Sequence, residues 1–324
     1  MYFAALDLGS NTVATLVRRA DHDGLTAVAE VSECTRLGEN LAATGRLQPA
    51  AMRRTLDAAA RQLDRLRRQA SPLRLTATGT SAVRDADNGQ EFLKQCQQEL
   101  GLAATPARLT GQDEAELTFR GATGTLPPGA LVINLDAGGA STEITLGFPG
   151  DLRLADSLPA GCVRWRDRFA LAGPFADTEM APAVSAVQAL LAPRRQDFLA
   201  ALSGSATSGA PVFSATGGTA TAMAAVLLHR TDGDPSLHGT RFTRDAIAGL
   251  LRRLASLPAL ARESLPGLPP GRGGVLPAGL LILHTIMAEL GMHEVMVNTH
   301  GLRYGITAAL RDGDPRLPVC LTLP

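Results

Sequence analysis

The chain of 324 residues and 33.8 kDa is 45% hydrophobic and 19% charged, which gives room for two packed domains and excludes a largely disordered chain. Lysine plus arginine and aspartate plus glutamate both number 31, so the net charge is +0 and a broad basic face for duplex nucleic acid or anionic lipid is excluded. An anion must therefore be met by a local site, and because Lys94 is the only lysine, that site draws on arginine, whose guanidinium clasps phosphate bidentately. Cys34, Cys96, Cys162 and Cys320 lie far apart without metal-ligand spacing, as expected of reduced cysteines in a cytoplasmic protein. The apolar run before Asp7 is too short for a secretion signal, and no stretch approaches the roughly 18 apolar residues of a membrane span.

In chain order, residues 3–6 and 12–17 are apolar, β-rich runs on either side of the turn formers Asp7-Leu8-Gly9-Ser10-Asn11, which predicts strand, tight turn, strand. Met52, Leu56, Ala59, Leu63 and Leu66 recur at alternating steps of four and three, and predict an amphipathic helix over 48–69. A strand follows at 73–78, and Asn88 three residues before Glu91 has the signature of a capped helix running to Leu100. Residues 121–129 (GATGTLPPG) concentrate glycine and proline and mark a domain boundary or hinge. The opening theme then returns: strand at 130–135, turn at Asp136-Ala137-Gly138-Gly139-Ala140, strand at 141–146. A duplicated domain would produce this echo. The remainder predicts helices over 181–202, 220–228 and 276–290, short strands at 211–215 and 294–297, and a last helix from about Gly301. Alternating strands and helices make the class α/β.

Three glycine-rich turns have backbone N–H groups suited to phosphate oxygens: Gly9-Ser10-Asn11, residues 138–142 with Gly138, Gly139, Ser141 and Thr142, and Gly217-Gly218-Thr219 at a helix start. Each alone reads equally well as a hairpin or a helix cap. Two of them follow an aspartate that a hairpin does not need, so Asp7, Asp136 and nearby Glu143 are candidate ligands for a hard cation. Residues 111–116 (GQDEAE) read as a first helical turn, where Asp113 and Glu114 would complement the helix dipole whether or not they act chemically.

Taken together, AALDLGSNT (4–12), ATGTSAVRDADNGQEFL (77–93), TGQDEAEL (110–117), DAGGASTE (136–143), SLPAGCVRWRDRF (157–169), ATGGTATA (215–222) and HGLRYG (300–305) resemble the exopolyphosphatase/guanosine pentaphosphatase (Ppx/GppA) phosphatases in their short two-domain form. The resemblance implies two ribonuclease-H-like domains of the actin-like and sugar-kinase-like ATPase superfamily around a central cleft. Their expected extents are 1–123 and 124–324, with the last helix free to pack back on the first domain. It implies a hydrolase that removes terminal orthophosphate from inorganic polyphosphate, from guanosine pentaphosphate, or from both, with Mg²⁺ or Mn²⁺ as cofactor. By motif match Glu114 activates the water, Arg84 contacts phosphate, and Asp136 and Glu143 hold the metal. No duplex nucleic acid or membrane partner is implied, and a homodimer is compatible with it.

The sequence also departs from the family pattern. Ala140 stands where a third glycine is usual, at a cost of roughly 1 to 2 kcal/mol if that backbone needs positive φ. Gly273-Gly274-Val275 lacks the acid often found before the following helix, and Asn298-Thr299-His300 replaces a common Ser-Asp-Gly, leaving His300 as a ligand contact, a cap or an exposed residue. A non-catalytic sensor of the same ligands and an ATP-dependent phosphotransferase remain as alternatives.

Overall fold

The computed structural model describes residues 1–22, 24–69, 71–204, 210–231 and 233–324. In chain order the first elements are strands β1 (Tyr2–Leu8), β2 (Thr12–Asp21) and β3 (Gly24–Cys34), helices α1 (Leu41–Thr44) and α2 (Pro49–Gln69), β4 (Leu73–Gly79), α3 (Ser81–Asp85), α4 (Gly89–Glu99), β5 (Ala107–Arg108) and α5 (Gly111–Thr123). Then come β6 (Val132–Ala137), β7 (Thr142–Phe148), β8 (Asp151–Leu158), α6 (Cys162–Arg168), α7 (Asp177–Gly204), β9 (Val212–Thr216) and α8 (Gly217–Leu228). The chain continues through β10 (Arg241–Thr243), α9 (Arg244–Ala255), α10 (Ala259–Glu263), α11 (Leu276–Glu289), β11 (Glu294–Val297), α12 (Leu302–Arg311) and β12 (Leu321–Leu323). It divides into two compact units, Met1–Gly121 with Leu302–Pro324, and Ala122–Gly301. Residues 121–123 form the last turn of α5, and α12 and β12 belong to the first unit.

The first unit's sheet has the order β12-β4-β1-β2-β3, with β5 also pairing β4. β1, β2 and β3 form an antiparallel meander, β4 and β5 run parallel to β1, and β12 closes against β4 in the opposite direction. The period of two in β1 sends Ala4, Leu6 and Leu8 into a core with Leu56 and Leu63 of α2 and Phe92 of α4. Ala5 points to the other face, where it packs with Leu117 of α5 and Ile306 and Ala309 of α12. Asp7 shares Ala5's face. A Cβ on Gly305 would stand 1.7 Å from the Leu117 carbonyl oxygen, so this glycine lets α12 cross α5 backbone to backbone, which accounts for one residue of the HGLRYG motif.

The second unit repeats the plan in the order β10-β11-β9-β6-β7-β8. β6, β7 and β8 are the antiparallel meander, β9 and β11 are parallel to β6, and β10 is the antiparallel edge. Both sheets are thus ribonuclease-H-like, and the sequence echo is a topological one. Leu131, Ile133, Leu135, Ile144 and Leu146 fill one face together with α11, which is apolar all round and is the buried centre of the unit.

Asn88 corrects a sequence reading. It makes no capping bond to α4, and its side chain instead accepts from Leu47 N at 2.8 Å and donates to Leu47 O at 3.1 Å, pinning the entry to α2. Among the described residues no helix is long and apolar enough to cross a membrane.

Candidate functional site

In the first unit the carboxyl ends of the parallel strands β1 and β4 lie side by side, with Asp7 in register with Thr78. Ligands of open α/β sheets gather at such strand ends. The turn after β1 is fixed by Gly9 N to Thr12 O at 3.0 Å, and by Ser10 O, which accepts from Gly38 N at 2.8 Å. Ser10 Oγ accepts from Ala82 N in α3 at 3.0 Å, tying the turn to the segment that carries Arg84. The N–H groups of Ser10 and Asn11 have no acceptor among the described residues, and neither does the buried Asn11 Nδ2. Buried donors left in this way cost free energy unless a ligand or water meets them.

Arg84 and Glu114 come together. Arg84 Nη1 donates to Glu114 Oε2 at 2.9 Å and to Leu109 O at 3.2 Å, and both side chains are largely shielded from solvent. Glu114 is in the first turn of α5, beside Asp113, and the structure separates the two acids by role. Asp113 is the capping acid: Oδ2 accepts from Thr110 N at 3.1 Å and Thr110 Oγ1 at 2.6 Å, and Thr110 Oγ1 in return accepts from Asp113 N. Asp113 Oδ1 also accepts from Arg316 Nη1 at 2.8 Å. Burial pushes the Asp113 carboxyl up, but the bonds from Thr110 and Arg316 outweigh it and hold the group below the ordinary aspartate value. The dipole-complementing role belongs to Asp113, which leaves Glu114 beside Arg84.

In the second unit Asp136 and Glu143 are directly opposite each other on β6 and β7, so their carboxylates share one face of the sheet. The row extends to Thr216 on β9 and to Ser157 on β8, whose hydroxyl donates to Glu143 Oε1 at 2.8 Å. A second polar row lies behind it: Ser214 Oγ donates to Asn134 Oδ1 at 2.7 Å and Asn134 Nδ2 to Thr216 Oγ1 at 3.2 Å. Among the described residues no group of three or more His, Cys, Asp or Glu side chains gathers around a metal. Mg²⁺ is nonetheless a fit to this pair, because it takes one or two carboxylates and fills its octahedron with water and phosphate oxygens.

The loop after β6 is docked on α6 through its carbonyls: Gly138 O accepts from Cys162 N at 2.9 Å, Gly139 O from Val163 N at 2.8 Å and Ala140 O from Arg164 Nε at 2.9 Å. The N–H groups of Gly139, Ala140 and Ser141 find no acceptor among the described residues, while Thr142 Oγ1 donates to Ala160 O. Ala140 is not in the positive-φ region, so its Cβ brings no backbone strain. Gly217 opens α8 at φ +77°, and a Cβ there would stand 2.2 Å from Asp136 Oδ1. Thr219 Oγ1 donates to Ala137 O at 2.6 Å, so the start of α8, with its unpaired first-turn N–H groups, is fastened beside the β6 carboxylate.

Sequence reading missed Arg272. A Cβ on Gly218 would lie 1.8 Å from Arg272 Nη2, so the guanidinium fills the space beside Gly218, and it makes no hydrogen bond or ion pair among the described residues. Its only sequence signal is its place among the glycines and prolines of residues 266–274. Glu263 of α10 accepts from Gly271 N and Gly273 N, on either side of Arg272. His300 stacks on His238 with ring centroids 4.4 Å apart. Burial lowers the His238 pKa.

A model of the Ppx/GppA phosphatase family matches residues 16–312. Exopolyphosphatase 2 of Mycobacterium tuberculosis is 31% identical over 326 residues, covering 95% of this chain and 98% of that protein. A guanosine-5'-triphosphate,3'-diphosphate pyrophosphatase of Aeromonas hydrophila is 29% identical over 319 residues, 97% of this chain, which spans only 61% of the Aeromonas protein's length. The crystal structure of an exopolyphosphatase from Cytophaga hutchinsonii superposes with a TM-score of 0.83 at 21% identity, covering 97% of this chain and 98% of the other, a likeness of fold. With the family match running from within β2 to the end of α12, the chain belongs to the Ppx/GppA phosphatase family.

Proposed function

We propose that the protein is a phosphohydrolase that releases terminal orthophosphate from inorganic polyphosphate, from guanosine pentaphosphate, or from both. The observation that carries this reading is the Arg84–Glu114 pair, which joins a shielded carboxylate to a guanidinium at 2.9 Å. The names of the Mycobacterium and Aeromonas relatives support the substrate class.

In this mechanism Glu114 takes a proton from a water in line with the terminal phosphorus. The water oxygen forms the new P–O bond as the bridging P–O bond breaks, and the bridging electron pair leaves on the shortened chain. Arg84 holds the Glu114 carboxylate through Nη1 and offsets charge on the transferred phosphoryl group with its remaining N–H groups. The N–H groups of Ser10 and Asn11, of residues 139–141 and of the α8 start bind non-bridging oxygens, with the hydroxyl-bearing Ser141, Thr142 and Thr219 framing the loops. Asp136 and Glu143 would hold Mg²⁺, with Mn²⁺ as a substitute and Asp7 as the corresponding acid of the first unit, and the charge so supplied would offset that of the terminal phosphates.

Phosphate release from polyphosphate, guanosine pentaphosphate and ATP, measured side by side with Mg²⁺, tests the reading. Release from one or both of the first two, and not from ATP, is expected. Tight binding without release would make the protein a sensor, and transfer from ATP to an acceptor would make it a phosphotransferase; either result overturns the proposal.

A further inference from the structure

Glu263 has no part in the reaction described above, yet its carboxylate makes two backbone hydrogen bonds that straddle Arg272. Gly271 N donates to Oε2 at 2.9 Å and Gly273 N to Oε1 at 2.8 Å. Arg262, the neighbouring residue, is fully buried and anchors the same loop from below. Its guanidinium donates to Leu254 O at 2.7 Å, Ala172 O at 3.1 Å, Gly173 O at 2.6 Å and Gly273 O at 3.4 Å, and it lies over the Phe175 ring.

The segment held in this way is flexible by composition. Gly271 has φ +79°, and Gly273 and Gly274 follow Arg272 directly, so the chain on either side of the arginine has wide conformational freedom when untethered. An arginine side chain also loses much rotamer entropy when it is fixed. A ligand that had to order both loop and side chain would bind correspondingly weakly. In the structure the loop is already ordered, and the guanidinium is set against Gly218 at the start of α8.

We propose that Glu263 is a positioning residue whose two-oxygen grip on Gly271 and Gly273 aims Arg272 at a phosphate group bound by the Gly217-Gly218-Thr219 turn. This rests on the reading of that turn as a phosphate site. Glu263 touches no substrate. It acts by pre-organisation, so its loss weakens binding more than it slows the chemical step.

The test uses tripolyphosphate and compares wild type with Glu263→Ala, Glu263→Gln, Arg272→Ala and the Glu263→Ala/Arg272→Ala double variant. KM and kcat for phosphate release are measured beside equilibrium binding of tripolyphosphate to each protein, with thermal unfolding as a check on the fold. Glu263→Ala should raise KM and Kd roughly tenfold with kcat changed little, the size of one lost charged contact. Glu263→Gln, which retains one acceptor, should fall between wild type and Glu263→Ala. The double variant should be no worse than Arg272→Ala alone, because the two residues act through one contact. Folded Glu263 variants with unchanged KM and Kd, or effects that multiply in the double variant, overturn the inference and leave the phosphohydrolase reading standing. A wild type that neither binds nor cleaves tripolyphosphate or guanosine pentaphosphate overturns the reading beneath it as well.

Discussion

Gly217→Ala perturbs the backbone and the candidate metal site together. The residue sits at φ +77°, where a Cβ costs roughly 1 to 2 kcal/mol, and the new methyl would lie 2.2 Å from Asp136 Oδ1, so the carboxylate must rotate away from its place opposite Glu143. For a domain the size of Ala122–Gly301 the backbone cost corresponds to a Tm lower by roughly 2 to 8 °C. Misdirecting a ligand in this way typically weakens metal affinity by about 10- to 100-fold. The assay is phosphate release as a function of Mg²⁺, beside thermal unfolding. Gly218→Ala is the contrast: its Cβ meets only the tip of the flexible Arg272 side chain, so the Mg²⁺ midpoint should stay in place while KM rises. A Gly217→Ala protein with wild-type Tm and an unshifted Mg²⁺ midpoint would refute the reasoning.

Arg84→Lys keeps the charge and loses the fork that spans Glu114 and Leu109 O and, in the proposed reaction, reaches phosphate, so kcat/KM should fall by more than tenfold; full activity would show that a distant charge suffices. Asp136→Asn and Glu143→Gln should each move the Mg²⁺ requirement to higher concentration, and metal titrations that match wild type in both would remove them from the metal site. Of the four cysteines only Cys34 is exposed, and burial pushes the Cys96 thiol up to about 12. One thiol per chain should therefore react rapidly with a thiol reagent in the native protein and four after unfolding, with Cys34→Ser abolishing the native reaction.

The repeated strand, aspartate, glycine turn and strand were legible in sequence because β1, β2, β6 and β7 bury continuous apolar runs. β3 was not, because much of it is exposed and its polar residues break the apolar signal; β5 and β12, of two and three residues, are too short to show a period. Asn88 misled because its capping signature is local, whereas the partner it takes, Leu47, is distant in sequence. The two acids of GQDE were indistinguishable by spacing, and what separates them is Arg316, about 200 residues away, which engages Asp113 and leaves Glu114 to Arg84. Arg272 carried no local signal beyond its place among glycines and prolines: its significance lies in its contact with Gly218, which only the folded chain reveals.

The account turns on Glu114 as the base. Glu114→Gln preserves the shape of the side chain and an acceptor for Arg84 while removing basicity, so phosphate release from polyphosphate by a folded Glu114→Gln protein is the most direct measurement. The account predicts a kcat lower by roughly 10²-fold or more with substrate affinity retained. Near-normal turnover in that protein would contradict it.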